Sequence, residues 1–588
     1  MHAGSYLRRR FLSSSANPVF SKFSLNRTTR LRIPASYQPL TSLTRANPPR
    51  PHPFPTSPFS SDREPRKALS FWAITFTLLV VAGGVCIQDK YSNPGKESHV
   101  SSDSLTSPPH PSLDLDTMTT TEVIPPGTVG NLTPEQETKL RELWVLTAKV
   151  CGIKSEALEK TTSNAQNGGA APSSPTPKKT KRRYTWFGKA YDEPDDSASV
   201  TSASGAASSL ANLNISDGDD KYGQSKEFQQ ALSDMTPEEI RTALWNMVKH
   251  DNPDALLLRF LRARKWDVKK ALVMFISTIR WRLMEVKVDD DIMKNGEALA
   301  HKQLESSDPA QKKAGEEFLA QMRMGKSFLH GVDKSGRPIC VVRVRLHRSA
   351  DQSDKVLERF TVFTIESARL MLVPPVETAT IIFDMTNFTL ANMDYTPVKF
   401  MIKCFEANYP ECLGTVLIHK APWIFSGIWN IIKGWLDPVV AAKIHFTKNK
   451  QELENFISND RIMKELEGGE DWEYKYPEPN KDENKQMEDT AKRDELLGQR
   501  QELARELESA TMEWIMAAGD NNQSAVDTAK EKRNGLIEKL RKQYWELDPY
   551  IRARSLYDRS NVIQPGGVID FYPPAQTNGT NGEANGSK

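Results

Sequence analysis

The strongest hydrophobic pattern in the chain lies between Trp423 and Leu436. Large apolar residues recur there every three or four positions, with charge only at Lys433, and this spacing predicts a helix with one apolar face. An Asp-Pro step at 437–438 ends this helix and begins a second one. The pattern alone leaves two interpretations open. The helix is either ordinary core or a mobile lid over an apolar cavity, whose tryptophans also meet lipid head groups.

Upstream of this helix, short apolar runs alternate with stretches of helical periodicity. The runs are typical of buried strands, and helices are predicted between them at 355–371 and 397–408. Strands that alternate with helices predict an α/β fold with a largely parallel sheet. If helices cover only one face of this sheet, its other face stays open beneath the lid. The predicted strands are Ser327–His330, Ile339–Val344, Thr380–Phe383 and Thr415–His419.

Residues 131–290, before the sheet, are predicted to form a helical N-terminal bundle. Two capping boxes begin helices, with Thr133 and Thr236 as the N-caps. Residues 155–225 interrupt the bundle; they are rich in Ser, Asn, Gly and Ala with few apolar anchors, so we expect this insert to be disordered. Further bundle helices are predicted at Asp254–Arg264 and Asp267–Leu283.

After the sheet, the chain becomes highly charged and helical periodicity returns. Residues 486–514 and 525–547 predict two helices, separated by a Gly-Asp-Asn break at 519–521. We therefore expect a helical C-terminal extension over 476–560 that packs on the preceding domain. A tail follows over 561–588, and its Asn- and Gly-rich end predicts disorder.

The N-terminal region carries targeting signals. Residues 1–61 contain no Asp or Glu among many Arg and Ser, so residues 1–67 are predicted to be a mitochondrial transit peptide. Residues 68–87 carry no charge and are long enough to span a hydrocarbon core of about 30 Å, which predicts a transmembrane helix. Basic residues before this helix orient the rest of the chain, including an expected disordered linker over 88–130, toward the intermembrane space. The alternative is a start at Met118, which gives a cytosolic or peripheral membrane protein.

Composition and motifs narrow the function. The net charge of +3 over 588 residues gives no reason to expect a nucleic-acid partner. The five cysteines form no C-x-x-C pair, so neither a zinc site nor a disulfide framework is predicted. The chain has no Walker loop, nucleophile elbow, H-E-x-x-H or dinucleotide fingerprint. We predict a protein that is not an enzyme and uses neither a metal nor a cofactor.

Three motifs in order resemble the CRAL-TRIO lipid-binding family, and within it the fungal phosphatidylinositol transfer proteins. They are the LLRFLRARKWDV run at 257–268, the DKSGRP turn at 333–338 and the stretch 409–443, which reads YPE-x-x-G, strand, apolar helix, LDP-x-x-x-x-K. The resemblance covers about 236–475 and implies a lipid-binding domain over 316–475, with an apolar cavity and a lid helix. The residues expected to form the lid are Trp423, Phe425, Ile428, Trp429, Ile432 and Trp435.

The resemblance also implies a bound phospholipid and its head-group ligands. The matching positions are Arg264, Lys265, Glu411 and Lys443, and each has the residue type that the family uses. Cations suit the phosphate, with charge-assisted bonds roughly twice as strong as neutral ones. The carboxylate of Glu411 accepts hydrogen bonds from inositol hydroxyls. The alternative for all four is a set of surface charges in ordinary ion pairs.

The chain departs from the family at the phosphatidylcholine site. Cys412 stands where the founding member has Arg, and four positions where the family uses hydroxyl side chains lack them. Each missing bond to a buried head group costs about 1–3 kcal/mol, so we expect phosphatidylinositol binding to be kept and phosphatidylcholine binding to be weak or lost. The four positions without a hydroxyl are Leu329, Cys340, Ala379 and Ile381.

The expected function is therefore binding of phosphatidylinositol and its transfer between membranes. Two alternatives remain open. One is a regulatory scaffold that senses a lipid and presents phosphatidylinositol to a phosphoinositide kinase. The other is a carrier of another hydrophobic ligand, such as a sterol.

Overall fold

The computed structural model describes residues 124–153 and 220–573. Within these two ranges, no helix is both long enough and apolar enough to cross a membrane. Several predicted segments lie wholly or mostly outside the described residues, and the expectations for them stay predictions. These segments are the transit peptide 1–67, the transmembrane helix 68–87, the linker 88–130, the insert 155–225 and the end of the tail 561–588. The last residues of the insert, 220–225, are described, and the disorder expected for them was wrong, because they lead into the helix Gln224–Asp234.

An N-terminal helical region precedes the sheet, as the sequence predicts. Both capping boxes are present. The Thr133 and Thr236 side chains accept hydrogen bonds from the backbone N–H groups of Gln136 and Glu239. The side chains of Gln136 and Glu239 in turn accept from the backbone N–H groups of the two threonines. Short π-helical turns at 281–285 and 288–293 follow the fifth helix. The α-helices are α1 Pro134–Val150, α2 Gln224–Asp234, α3 Pro237–Val248, α4 Pro253–Ala263, α5 Val268–Arg280, α6 Lys294–Leu304 and α7 Pro309–Arg323.

The sheet has five strands in sequence order, and it confirms the predicted α/β architecture. The first pair is antiparallel and the other three pairs are parallel. The fifth strand was not predicted, because its alternation, I-H-F-T, covers only four residues and directly follows a short helix. The strands are β1 Ser327–Val332, β2 Pro338–Arg343, β3 Ala379–Asp384, β4 Leu413–His419 and β5 Ile444–Thr447.

Helices stand over one face of this sheet, and irregular chain covers the other. The expectation of a face left bare was wrong, because residues 453–466 pack directly on the second face. The helices over the first face, together with the short helices that flank them, leave a space between themselves and the strands. These helices are α8 Asp354–Leu370, α9 Tyr395–Lys403, α10 Phe425–Lys433 and α11 Pro438–Ala442, whereas α12 Lys450–Leu453 leads onto the second face.

The C-terminal helices complete the core of the N-terminal bundle. The helices that do so are α13 Thr490–Gly519 and α14 Gln523–Ile551, whereas the short α15 Leu556–Arg559 packs with the cluster that contains Leu329 and Ile381 of the sheet. Apolar residues of α13 and α14 share one hydrophobic cluster with those of α1 to α5. The buried Arg533 guanidinium of α14 bonds to both oxygens of Asp254 in α4, at 2.7 and 2.9 Å. Trp144 donates to the same carboxylate, so one buried carboxylate joins three helices.

Candidate functional site

The described residues enclose an apolar cavity of about 270 Å³ between the sheet and its covering helices. Side chains from β2, β3 and β4 form its floor, α8 and α9 form one wall, and α10 closes it. Such a lining favours a ligand with a large hydrocarbon part, because each buried CH₂ contributes about 0.8 kcal/mol. Representative lining residues are Val342, Ile381, Phe383, Ile418, Phe360 and Met401.

The predicted lid helix is α10, and its two faces differ sharply. Phe425, Trp429 and Ile432 line the cavity, and Ile428 is buried beside them. Trp435 is half-buried after the helix, where its ring packs edge-on against the Tyr395 ring at 5.4 Å. The inward set therefore recurs at the spacing of one helical face.

Trp423 lies outside that inward set. It precedes α10, is 86% exposed and does not line the cavity, so it does not cover the cavity as the other lid residues do. Ile431 and Phe446 are also exposed, at 49% and 43%. The region around the lid thus presents large apolar side chains to solvent.

The C-terminal end of the lid is tethered through Glu406. This carboxylate accepts from the backbone N–H of Asp437 at 2.7 Å, and from Lys221 and Tyr222, each at 2.7 Å. Lys221 also donates to the backbone oxygen of Trp435. Burial and the bond to Glu406 raise the pKa of the Tyr222 phenol, so it stays a donor. One carboxylate therefore connects the end of the lid to residues just before α2.

Glu411 and Lys443, two of the four predicted head-group residues, are in contact. The Lys443 ammonium donates to Glu411 Oε2 at 3.1 Å, and both side chains are about one-quarter exposed. The next residues along the chain, Cys412 and Ile444, line the cavity. The pair therefore stands where the amino ends of β4 and β5 meet the cavity.

The backbone at Glu411 is in an uncommon conformation. Its φ is +55°, in the left-handed region that glycine or asparagine adopts at lower cost. Such strain, of order 1–3 kcal/mol, persists only where the surrounding structure over-determines the conformation. The Cys412 thiol donates to the Tyr409 carbonyl at 2.8 Å and closes the same turn.

The other two predicted head-group residues follow α4. The Arg264 guanidinium donates to the side-chain oxygen of Gln224, whose amide donates to the Ala407 carbonyl at 3.2 Å. Lys265 is exposed, with a φ of +51° at the helix end. Arg264 is thus linked through Gln224 to the segment that leads into the Tyr409 turn.

A buried charge network beneath this turn was missed from the sequence. Glu366 of α8 accepts from Arg282 at 2.6 Å, Tyr409 at 2.8 Å and Arg369 at 3.2 Å. Burial alone would raise the pKa of the Glu366 carboxyl, but Arg282, Arg369 and Lys249 hold it well below its ordinary range. The sequence shows these residues only as charged positions within predicted helices, which gives no signal of burial.

Three of the four positions expected to lack a phosphatidylcholine contact form one row across the sheet. Leu329, Cys340 and Ile381 are register partners on β1, β2 and β3, and the last two line the cavity together with Ala379. Burial raises the pKa of both the Cys340 and Cys412 thiols to about 11, so they stay neutral. In the described ranges, no group of three or more His, Cys, Asp or Glu could hold a metal ion.

Comparison with known proteins identifies the family to which this architecture belongs. A CRAL/TRIO domain model matches residues 322–468, and a CRAL/TRIO N-terminal domain model matches residues 224–277. The CRAL-TRIO domain-containing protein C3H8.02 of Schizosaccharomyces pombe is 40% identical over 468 residues, which cover 77% of this chain and 96% of that protein. The chain belongs to the CRAL-TRIO family.

Two further relatives extend the comparison within the CRAL-TRIO family. The phosphatidylinositol transfer protein CSR1 of Eremothecium gossypii is 39% identical over 455 residues, covering 76% of this chain and 100% of the relative. The Sec14 cytosolic factor of Schizosaccharomyces pombe is 29% identical over 232 residues, covering 37% of this chain and 74% of the relative. The similarity to the first two relatives therefore extends well beyond the two matched domains.

Proposed function

We propose that this protein binds phosphatidylinositol and transfers it between membranes. The observation that carries the proposal is an apolar cavity whose one end meets the Glu411–Lys443 pair. A phospholipid needs both features, because its acyl chains are apolar and its head group carries a phosphate. CSR1 of Eremothecium gossypii, which is named a phosphatidylinositol transfer protein, is similar to this chain over 100% of its own length.

The two charged groups divide the head-group chemistry between them. The Lys443 ammonium offers three donors and a positive charge to the phosphate, whereas ionised Glu411 only accepts and suits inositol hydroxyls. Arg264 and Lys265 supply further positive charge from the end of α4. In the ligand-free protein, Lys443 and Glu411 satisfy each other. A partly exposed pair of this kind contributes only about 0–1 kcal/mol to stability, so its loss affects the ligand more than the fold.

Lid movement explains how a lipid enters a covered cavity. In water, opening α10 exposes Phe425, Ile428 and Ile432 at about 1.5–3 kcal/mol for each large apolar side chain. At a bilayer, these side chains enter the interface beside Trp423 and Ile431, which are already exposed. Opening is therefore rare in solution and favoured at a membrane. The proline at each end of the lid, Pro422 and Pro438, marks where the chain bends.

Localisation is a separate part of the proposal. Residues 1–87 are proposed to carry the chain to mitochondria and to anchor it in the inner membrane, because an acid-free segment precedes a long uncharged apolar one. A reporter fused to residues 1–87 should enter mitochondria and resist carbonate extraction. A diffuse cytosolic reporter, or transcripts that begin at Met118, would contradict this part alone.

The central test removes Lys443. We expect Lys443→Ala to lose phosphatidylinositol binding while its thermal unfolding stays near that of the wild type. Lys532→Ala is the matched control, because Lys532 forms a comparable 2.8 Å pair with Glu513 on the C-terminal helices. Equal loss of every bound lipid, or equal binding by both variants, argues against a head-group role. A wild-type protein that binds phosphatidylinositol but moves none between vesicles would instead be a lipid-sensing scaffold.

A further inference from the structure

A second cation lies at the opposite end of the cavity. Lys326 directly precedes β1, and its carbonyl accepts from Arg343 at the carboxyl end of β2. Glu411 and Lys443 precede β4 and β5, at the amino ends of the parallel strands. Strands of six or seven residues span about 20 Å. Lys326 and Lys443 are therefore separated by roughly the length of the sheet.

Lys326 is buried without an anionic partner. It is 4% exposed and lines the cavity. Its ammonium donates to the side-chain oxygens of Gln352 at 2.5 Å and Gln321 at 3.4 Å, and both acceptors are neutral. Over residues 124–153 and 220–573, no carboxylate lies within ion-pair distance of this ammonium. Lysine is almost never buried unless it is paired, so a buried ammonium with only neutral acceptors on a cavity wall is a candidate anion-binding group.

Lys326 shares this end of the cavity with Arg343, His347 and Asp394. Burial lowers the pKa of the Lys326 ammonium to about 8, against a smaller opposing effect of Asp351, so it is mostly protonated at neutral pH. His347 is the neighbouring base, and burial together with the charge of Lys326 lowers the pKa of its imidazole. His347 also contacts Asp394 at 3.4 Å, so that carboxylate already has a partner.

The donors near Lys326 limit the kind of anion that fits. An ammonium has three N–H groups, and the two glutamines accept two of them. The side-chain amide nitrogens of Gln352, Gln321 and Asn392 already donate to backbone carbonyls, at 2.7 to 3.3 Å. One free N–H and one charge suit a carboxylate. A carboxylate has only two oxygens to satisfy, so it fits this small set of donors better than a phosphodiester with a large polar substituent.

We propose that this end of the cavity binds the carboxylate of a long-chain fatty acid, with Lys326 as its counter-ion. The hydrocarbon chain extends from there along the apolar wall formed by Val342, Phe360 and Phe383. This assignment deepens the proposed lipid-binding function by naming a second ligand class, and it rests on the cavity being a lipid site. It does not depend on Glu411 or Lys443.

The test compares oleate with methyl oleate on the full chain. The two ligands share a hydrocarbon chain but differ in charge, so the wild type should bind oleate about 10- to 100-fold more tightly, as expected for a charge-assisted hydrogen bond. Lys326→Met keeps most of the length of the side chain and removes its charge. We expect this variant to bind methyl oleate as the wild type does and to lose the preference for oleate.

Two controls separate this proposal from the proposed function. Phosphatidylinositol binding is measured on the same preparations, and Lys326→Met should retain it. A wild type that binds both oleate ligands equally, or a variant that keeps the preference, overturns the fatty-acid site even if phosphatidylinositol binds normally. If the variant loses methyl oleate as well, its fold has failed, and the wild-type preference between the two ligands decides the question.

Discussion

The two faces of the sheet are built from the same kind of residue but end in different environments. Ile381 and Ile382 are neighbours in β3 and point to opposite faces. Ile382 is 1% exposed, and residues 453–466 pack directly against its face, whereas Ile381 is 8% exposed and lines the cavity. Apolar composition therefore does not determine where the cavity forms. What differs is how closely the covering chain can approach the strands.

The covering segments differ in how they are held. On the filled face, the chain lies against the sheet, and a backbone bond joins Lys334 N–H to the Phe456 carbonyl at 2.9 Å. On the cavity face, α8 is fixed at its C-terminal end by the buried network around Glu366. The lid is fixed at its end through Glu406. Helices anchored at their ends stand off the strands and leave space for a ligand.

The largest expected effect contrasts truncations on the two faces. Ile382→Ala should lower the free energy of unfolding by about 2–5 kcal/mol, because it opens a new cavity in packed core. Ile381→Ala should lower the free energy of unfolding clearly less, because the Ile381 side chain already borders the cavity and its truncation creates little new empty volume. Denaturant unfolding of the ligand-free protein measures both. Equal costs would mean that the two faces are packed alike.

Enlarging the same two residues should sharpen the contrast. Ile382→Phe should lower stability by about 1–3 kcal/mol, because a filled core resists overpacking. Ile381→Phe should be tolerated in the ligand-free protein and should reduce the amount of bound lipid instead. Unfolding and lipid extraction are measured on the same samples. Normal lipid content in Ile381→Phe would argue that the cavity is not the lipid site.

Placing a charge in the lid should slow transfer. Ile432→Asp puts a carboxylate on the buried face of α10, where it opposes both the closed state and entry into the membrane interface. We expect slower vesicle-dependent transfer, with bound lipid measured in parallel. Asn430→Asp is the matched control, because Asn430 lies on the same helix but is exposed. Equal slowing by both variants would assign the effect to charge alone.

The smallest expected effect concerns the tether of the lid. Glu406→Gln removes the negative charge that holds Lys221 while it keeps the shape of the side chain. A spin label at exposed Ser426 should become more mobile when vesicles are added to the wild type, and it should already be partly mobilised in this variant without vesicles. A label whose mobility never responds to vesicles would show that α10 is a fixed part of the hydrophobic core and not a mobile lid.

The sequence predicted the organisation of the lid region better than its contacts. The predicted apolar helix matches α10, because a 3.6-residue period in large side chains is a strong signal. Contact between Glu411 and Lys443 spans 32 residues, and no local pattern carries such a contact. The Glu366 network and Lys326 were missed for a related reason. A charged residue predicts solvent exposure unless its buried partners are known, and those lie on other helices.

Analysis of the lipid that co-purifies with the full chain tests the central claim most directly. Mass spectrometry of the extracted lipid should find phosphatidylinositol as the main phospholipid and little phosphatidylcholine. Phosphatidylinositol should disappear from Lys443→Ala and remain in Lys532→Ala. Phosphatidylcholine at levels equal to phosphatidylinositol, or a Lys443→Ala protein that keeps its full load of phosphatidylinositol, would contradict the account.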